Sequence, residues 1–545
     1  MNTTSGKTLR DIPAMRWLVM FLVSGLMFST YYFQDFYSGL KDLVETDFGF
    51  TSEEFGRMIG LTTIANVFGM IIVGGIILDK WGIRLAGLAF GGLAALGGLV
   101  SALTAAGYFG DDKSTMLTGL IIGRVMFGSG LEVVCVVVMR TLVKWFKGYE
   151  LALAMAINMG FGRLGSALAI AISLDIAGTS VSPAVTFAAA LIGLSLIMFV
   201  IYIFFDLKID KQTGAKELRR QTKGEDDFKF SDLIKLATNR SFIFITLLCV
   251  AFYSAVFPFI QYAPDLLVNK FGFNYDLPEG ASFVVFGNKA LGNAIVYIVL
   301  FLFALSITLI PNNIKNIRDK NIVRVVILSL FILIVYLNID ILKIWLVNGP
   351  KTAGLIPLGT IIFTPIFGSY VDKHGKAASL MILGSFLLIF AHISLSLTNS
   401  VFMAYLGLLS LGVAFSLVPA AMWPSVAKIV PENRLGTAYA SMFTVQNWGL
   451  GLFFWGIGAF LYVVNPKVVS AISEAREQLA AQGMSSGEIS NQIKIMQYSG
   501  ELPYYNYLWP ILSLVLLGLI SIFLAFKLKQ ADKIQGYGLE LPSNA

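Results

Sequence analysis

Two copies of one short phrase decide how this chain is read: Gly75-Ile76-Ile77-Leu78-Asp79-Lys80-Trp81-Gly82-Ile83-Arg84 and Gly368-Ser369-Tyr370-Val371-Asp372-Lys373-His374-Gly375-Lys376. Each reads glycine, three residues, Asp-Lys, one residue, glycine, then a base within two positions. The copies lie about 290 residues apart, at matching places in two strings of apolar runs. A phrase repeated in that way marks a duplicated helical bundle. The first glycine of each copy, Gly75 or Gly368, is expected at a close helix crossing. The Asp and the bases after it are expected where a tight loop leaves the membrane.

Composition points the same way. Apolar residues make up 56% of the 545 and charged residues 13%, about half the roughly 25% of soluble domains. The apolar residues form runs of about 20 or more, each able to cross ~30 Å of hydrocarbon. Helices satisfy their own backbone groups in such runs, so the fold class is an all-α polytopic membrane protein. Cys135 and Cys249 both fall inside apolar runs, and neither a disulfide framework nor a thiolate metal site follows from them.

Fourteen spans are expected: 15–37, 55–79, 83–107, 115–140, 150–176, 182–206, 241–266, 290–311, 322–347, 352–371, 377–398, 401–422, 436–464 and 505–526. With a cytoplasmic N-terminus, the inner loops and tails hold 28 of the 40 Lys and Arg residues and the outer loops ten. That bias sets the orientation, puts both termini in the cytoplasm and accounts for the net charge of +7 without nucleic acid as a partner. Residues 1–206 are read as a six-helix bundle and 207–240 as a cytoplasmic linker. Residues 241–545 are a second bundle carrying two insertions: a transmembrane hairpin at 290–347, expected at the lipid-facing periphery, and a polar external loop at 465–504. Lys315, Arg318, Lys320 and Arg324 hold the hairpin's turn on the cytoplasmic side. The Ser470–Gln482 stretch has helical spacing and is expected to cap the last two helices.

The repeated phrase resembles the loops between the second and third, and the eighth and ninth, helices of the major facilitator superfamily. That resemblance implies six plus six core helices, with the hairpin as an addition. Two enzyme-like patterns fail on context. Gly160-Phe161-Gly162-Arg163-Leu164-Gly165 fits a dinucleotide fingerprint, but lies mid-helix with no strand before it. Gly483-Met484-Ser485-Ser486-Gly487 fits a nucleophile elbow, but sits in a polar loop. His374 and His392 have no clustered ligands, so neither a metal, a cofactor nor an enzymatic activity is expected.

The informative residues are charges that a bilayer disfavours by roughly 2.5–3.5 kcal/mol each. Arg124, Gly128 and Glu132 recur at i, i+4, i+8 and share a face of the fourth span. Arg163 is central in the fifth. Glu132 lies 14 residues before the centre of the Lys144–Gly148 loop and Arg163 17 after it, an axial offset of about 4.5 Å. An acid and a base thus sit at similar depth. One reading is an ion pair that locks two helices. The other is a clamp for a zwitterion, with the carboxylate on an ammonium and the guanidinium gripping a carboxylate. An extended dipeptide, roughly 7 Å long, fits between such groups. Tyr31 and Asp35, four apart on the first span, line the same cavity in this reading; Asp35 is equally a charge at a helix end. Tyr253, Phe257 and Gln261 share a face of the seventh span. Arg124 matches a basic motif position and takes a structural or gating role, as do Gly75, Asp79, Gly82, Arg84, Gly368, Asp372, Gly375 and Lys376.

A narrower resemblance rests on Gly123–Glu132 (GRVMFGSGLE), Trp145–Leu153 (WFKGYELAL), Gly162–Ala167 (GRLGSA) and Phe252–Ile260 (FYSAVFPFI). It continues through Phe367–Lys376, Met422–Pro431 (MWPSVAKIVP) and Leu435–Leu450 (LGTAYASMFTVQNWGL). These phrases resemble the family of lysosomal dipeptide uniporters (major facilitator superfamily domain-containing protein 1) and its bacterial relatives. The resemblance implies that Glu132 holds a dipeptide's amino end and Arg163 its carboxyl end. Trp423 and Asn447, inside the matching phrases, join the expected substrate site. No acidic dileucine sorting signal occurs in the N-terminal tail, so a bacterial inner membrane is expected rather than a lysosome, with the protein functional as a monomer.

The function expected is an alternating-access transporter of short peptides. The alternatives are a proton-coupled carrier of another small organic solute, a carboxylate or sugar, in which Glu132 carries the proton, and a non-transporting sensor on the same fold. The charge bias makes a topological prediction. A membrane-impermeant thiol reagent applied from outside should label a cysteine placed at Ser485 and spare one at Asn313. Labelling at Asn313 would remove the hairpin.

Overall fold

A computed structural model gives the fold over residues 8–213, 230–311, 314, 316–431 and 434–542. The middle of the 207–240 linker, Asn313, Lys315 and the side chain of Asp79 lie outside the described residues. The N-terminal helices are α1 Pro13–Asp35, α2 Lys41–Asp47, α3 Ser52–Gly60, α4 Ile64–Val67, α5 Met70–Ala105, α6 Lys113–Phe146, α7 Leu151–Ala177 and α8 Ser182–Thr213. After the linker come α9 Phe230–Thr238, α10 Arg240–Phe271, α11 Lys289–Leu309, α12 Ile317–Leu337, α13 Ile339–Leu346 and α14 Gly349–His374. The chain closes with α15 Ala377–Leu397, α16 Val401–Ile429, α17 Leu435–Val464, α18 Pro466–Ala481, α19 Ser486–Tyr498 and α20 Leu508–Gln535.

Among the described residues, thirteen helices are long and apolar enough to cross a membrane, or fourteen if the bent pair Ser52–Val67 and Met70–Leu78 is one span. The bend is 51°. It falls where Gly69 takes a left-handed conformation (φ 83°) and stops the first piece, a glycine end of the usual kind. The expected span 322–347 is likewise two helices, broken at Asn338.

Both copies of the repeated phrase turn on their second glycine. Gly82 (φ 78°) interrupts α5, and Gly375 (φ 68°) separates α14 from α15, with Lys376 also left-handed. An L side chain is strained there. The expectation for the first glycine is wrong: a Cβ on Gly75 or on Gly368 would meet open space. The close approach is one residue earlier in the first copy, at Gly74 against Val133 of α6. Asp372 also lies within α14, not in a loop. Arg84 pairs with Asp206 (3.3 Å) and Asp210 at the end of α8, so it ties helices of its own bundle.

The polar segment after α17 does more than cap neighbouring helices. It forms two helices, and the second reaches the N-terminal half, where Ser490 donates to Asp42 of α2 (2.7 Å). Ser485 is the cap residue of α19, with Glu488 closing a capping box, which explains the serine pattern without catalysis. The two helices at 289–337 behave differently from each other. No residue of α12 is buried. In contrast, α11 exposes one apolar face but anchors the other to the core helices: Phe301 packs on Phe161 of α7 (5.5 Å), and Tyr297 donates to the Lys351 carbonyl of α14 (2.6 Å).

The halves are sewn together on the face that carries α18 and α19. Pro264 leaves the Ile260 carbonyl of α10 without its helical N–H donor, and the Ser38 hydroxyl from the other half donates to it instead (2.7 Å). Lys41, 1% exposed, lies between Glu45 (2.9 Å) and Asp265 (3.0 Å). Tyr275 and Tyr507 donate to Asp265, and Ser52 donates to Glu45 (2.7 Å). Lys351 of α14 pairs with Asp175 of α7, which also accepts from Asn293 of α11 (2.9 Å). These charges are buried with partners from both halves, so the closed seam depends on them.

Removing one partner of such a buried group costs about 3–5 kcal/mol. Lys41→Met should therefore loosen the seam and let an impermeant maleimide, added from the α18–α19 face, reach Cys135 in the cavity below, with Cys249 replaced by Ala. Labelling no faster than in the parent would show that the Lys41 cluster does not hold the seam.

Candidate functional site

Below this seam, α1, α4, α6 and α7 of one half face α10, α16 and α17 of the other around a cavity of about 220 Å³. That is smaller than the ~300–1,000 Å³ common for ligand pockets, and suits a small solute. Its wall includes Tyr31, Asp35, Glu132, Arg163, Tyr253, Trp423 and Asn447. Gln261 and Arg124 are outside the lining set and support it from behind.

Glu132 and Arg163 are on one cavity but not paired with each other: among the described residues no ion pair joins them. Asn447 of α17 lies beside the Glu132 carboxylate on the cavity wall, its own Nδ2 donating to the Phe443 carbonyl (2.9 Å). The Arg163 guanidinium lies over the Phe415 ring of α16, 4.4 Å from its centre. Each charge thus leaves the N-terminal half and meets a neutral group of the C-terminal half. A lock between α6 and α7 would need the opposite arrangement.

Asp35 is more tightly held. It is buried at the end of α1, where Ser166 of α7 (2.5 Å) and Gln261 of α10 (2.6 Å) both donate to it. It therefore joins three helices from both halves, and Gln261 serves it directly. Arg124 is wholly buried and spends its donors on the Thr62 hydroxyl (2.9 Å) and on the Phe33 (2.7 Å) and Gln34 (3.2 Å) carbonyls. Those carbonyls belong to the last turn of α1, where a cation is favoured by the helix dipole and by unpaired acceptors. Its position is structural.

The opposite wall is aromatic. Tyr253 stacks on Phe257 (5.3 Å), Trp423 stacks on Phe443 (4.9 Å), and the Trp423 indole donates to the Tyr253 hydroxyl (3.1 Å). Charges come from the N-terminal half and, Tyr31 apart, rings from the C-terminal half. The arrangement can grip charged ends of a solute while leaving its apolar parts against adaptable π surfaces.

Several lining residues escape a reading based on charge. Gln34, Thr62, Thr63, Asn66 and Gln446 all face the cavity. The available signal was polar residues inside apolar runs, with Thr62 and Asn66 four apart on the second span.

A protein-family model described as Major Facilitator Superfamily matches residues 17–350. The chain is 26% identical over 460 residues to the lysosomal dipeptide transporter MFSD1 of Danio rerio, covering 82% of this chain and 81% of that one. With the human protein of the same name it is 25% identical over 447 residues, covering 81% and 78%. Among solved structures, the inward-open xylose transporter XylE from E. coli superposes with a TM-score of 0.55 at 11% identity, over 95% of each chain. A bacterial homolog of the human lysosomal transporter Spinster, inward-facing and occupied, gives 0.53 at 11%, covering 95% of this chain and 97% of that one. At such identities these two show the fold alone.

Proposed function

Because the chain belongs to the major facilitator superfamily, a family of membrane transporters and not of enzymes, we propose that it carries short peptides, dipeptides above all, by alternating access. The observation that carries this reading is the separation of Glu132 and Arg163 on one small cavity, each without the other as partner. A zwitterion supplies both missing partners at once: its ammonium for Glu132 and its carboxylate for Arg163, which can bind bidentately. The distant relatives named as dipeptide transporters support the same substrate class. Because the grip is on main-chain ends, the aromatic wall meets the side chains and selectivity among them is broad.

In this reading the helices at 1–206 and 241–545 rock about the cavity, and Lys41, Asp265, Lys351 and Asp175 part when the seam opens. The two helices at 290–347 are an insertion into the six-plus-six core. Asp79 and Asp372 stabilise one arrangement of the halves. Both termini are cytoplasmic, the membrane is a bacterial inner membrane, and one chain suffices.

Losing one charge-assisted contact costs on the order of 1.5–3 kcal/mol, roughly 10- to 150-fold in affinity. Arg163→Ala should therefore weaken Ala-Ala far more than its C-terminal amide, and Glu132→Gln should weaken Ala-Ala far more than its N-acetyl form, in thermal-shift titrations. Equal weakening of all three ligands, with stability regained in the double variant, would make the pair a structural lock. If Glu132 instead carries a proton for another solute, Glu132→Gln abolishes pH-driven uptake and leaves peptide affinity unchanged.

A further inference from the structure

We propose that Asn66 determines specificity for a primary ammonium group, its side-chain oxygen accepting one N–H of the substrate beside Glu132. The proposal rests on the peptide reading above and adds a residue to it.

Asn66 is 2% exposed, on the short helix α4 that ends at the bend after Val67. Its Nδ2 donates to the Gly128 carbonyl of α6 (3.2 Å). That bond fixes which end of the amide is which, so the other end is the acceptor. This Oδ1 is buried and has no hydrogen-bond partner among the described residues. The side chain lines the same cavity as Glu132 and Arg163.

The anchor also places it. In an α-helix the carbonyl of residue 128 receives the N–H of residue 132. The Asn66 amide therefore meets α6 at the carbonyl that carries the backbone of Glu132. Gly128 makes the approach possible, since any Cβ there would run into the Thr62 backbone of the neighbouring 3₁₀ turn. The Glu132 carboxylate, carried by α6, and the Asn66 oxygen, held by α4 against the same turn of α6, thus belong to residues that line one cavity. Both seek donors.

A protonated primary amine offers three N–H donors on one charge. Glu132 takes the charge and part of the donor set; a buried acceptor beside it takes another. An N-acetyl amide has one N–H and no charge. A quaternary ammonium has the charge and no N–H. The Asn66 oxygen separates the primary amine from the quaternary one, which Glu132 alone distinguishes poorly. The same atom also explains why an uncharged residue is buried at this depth with one end unpaired, which is costly unless a ligand completes it.

The test compares Ala-Ala with N,N,N-trimethyl-Ala-Ala, by calorimetric titration of the full-length protein in detergent. Wild type should prefer Ala-Ala, and Asn66→Ala should shrink that preference by about tenfold or more. Each preference is a ratio within one variant, so a general loss of packing cancels; if the Ala variant does not fold, Asn66→Val, which likewise lacks an acceptor, carries the same expectation. If Asn66→Ala weakens both ligands equally, Asn66 is only a tie between α4 and α6 and the proposal falls, while binding of Ala-Ala that still depends on Glu132 leaves the peptide reading standing. If wild type does not bind Ala-Ala, both fall.

Discussion

A charge inside a bilayer has to be matched by the protein or by what the protein carries, and that constraint organises this molecule. Removing ions from water costs several kcal/mol each even after relaxation. The chain meets the cost in three ways. Arg124 is absorbed by the carbonyl end of α1. Lys41, Glu45, Asp265, Lys351 and Asp175 are paired, and the pairs Lys41–Asp265 and Lys351–Asp175 cross from one half to the other. Glu132 and Arg163 remain, facing a cavity that they share with Asp35 and not paired with each other.

The same bookkeeping links structure to motion. Charges that neutralise each other across the seam favour the arrangement in which the α18–α19 face is shut. Separating them exposes each to water, which replaces the lost partner only if water can enter. The helix α19 and the polar segment around Tyr505 contribute directly, since Ser490 holds Asp42 and Tyr505 reaches Glu45 (3.4 Å). α11 adds Asn293 to the Asp175 cluster. Segments outside the central helices are therefore part of what holds this state. The bend at Gly69, with the Trp448 indole donating to the Val67 carbonyl (2.8 Å), puts a joint in the helix next to the cavity wall at Asn66.

Much of this was legible because apolar runs of membrane length and a duplicated turn are strong signals. Glu132 and Arg163 stood out as charges in the middle of such runs. The seam did not: Lys41, Asp175, Asp265 and Lys351 lie near the ends of runs, where charges are ordinarily solvated, and only the packing of the two halves buries them. Gly75 and Gly368 were misread because a glycine's neighbours depend on how helices lie, whereas Gly82 and Gly375 declare themselves by a backbone angle. The anchoring of α11 to the core was not legible because it depends on the polar tips of Tyr297 and Asn293 on an otherwise apolar helix. Asn66 carries no charge at all, and only its unpaired oxygen singles it out.

The most direct measurement is counterflow in liposomes holding the purified protein and preloaded with unlabelled Ala-Ala. Labelled Ala-Ala outside should enter faster than in protein-free liposomes, and a dipeptide blocked at both ends should neither enter nor compete. Entry of the blocked peptide at the same rate, or no entry of Ala-Ala above the protein-free level, would contradict a transporter that holds peptides by their charged ends.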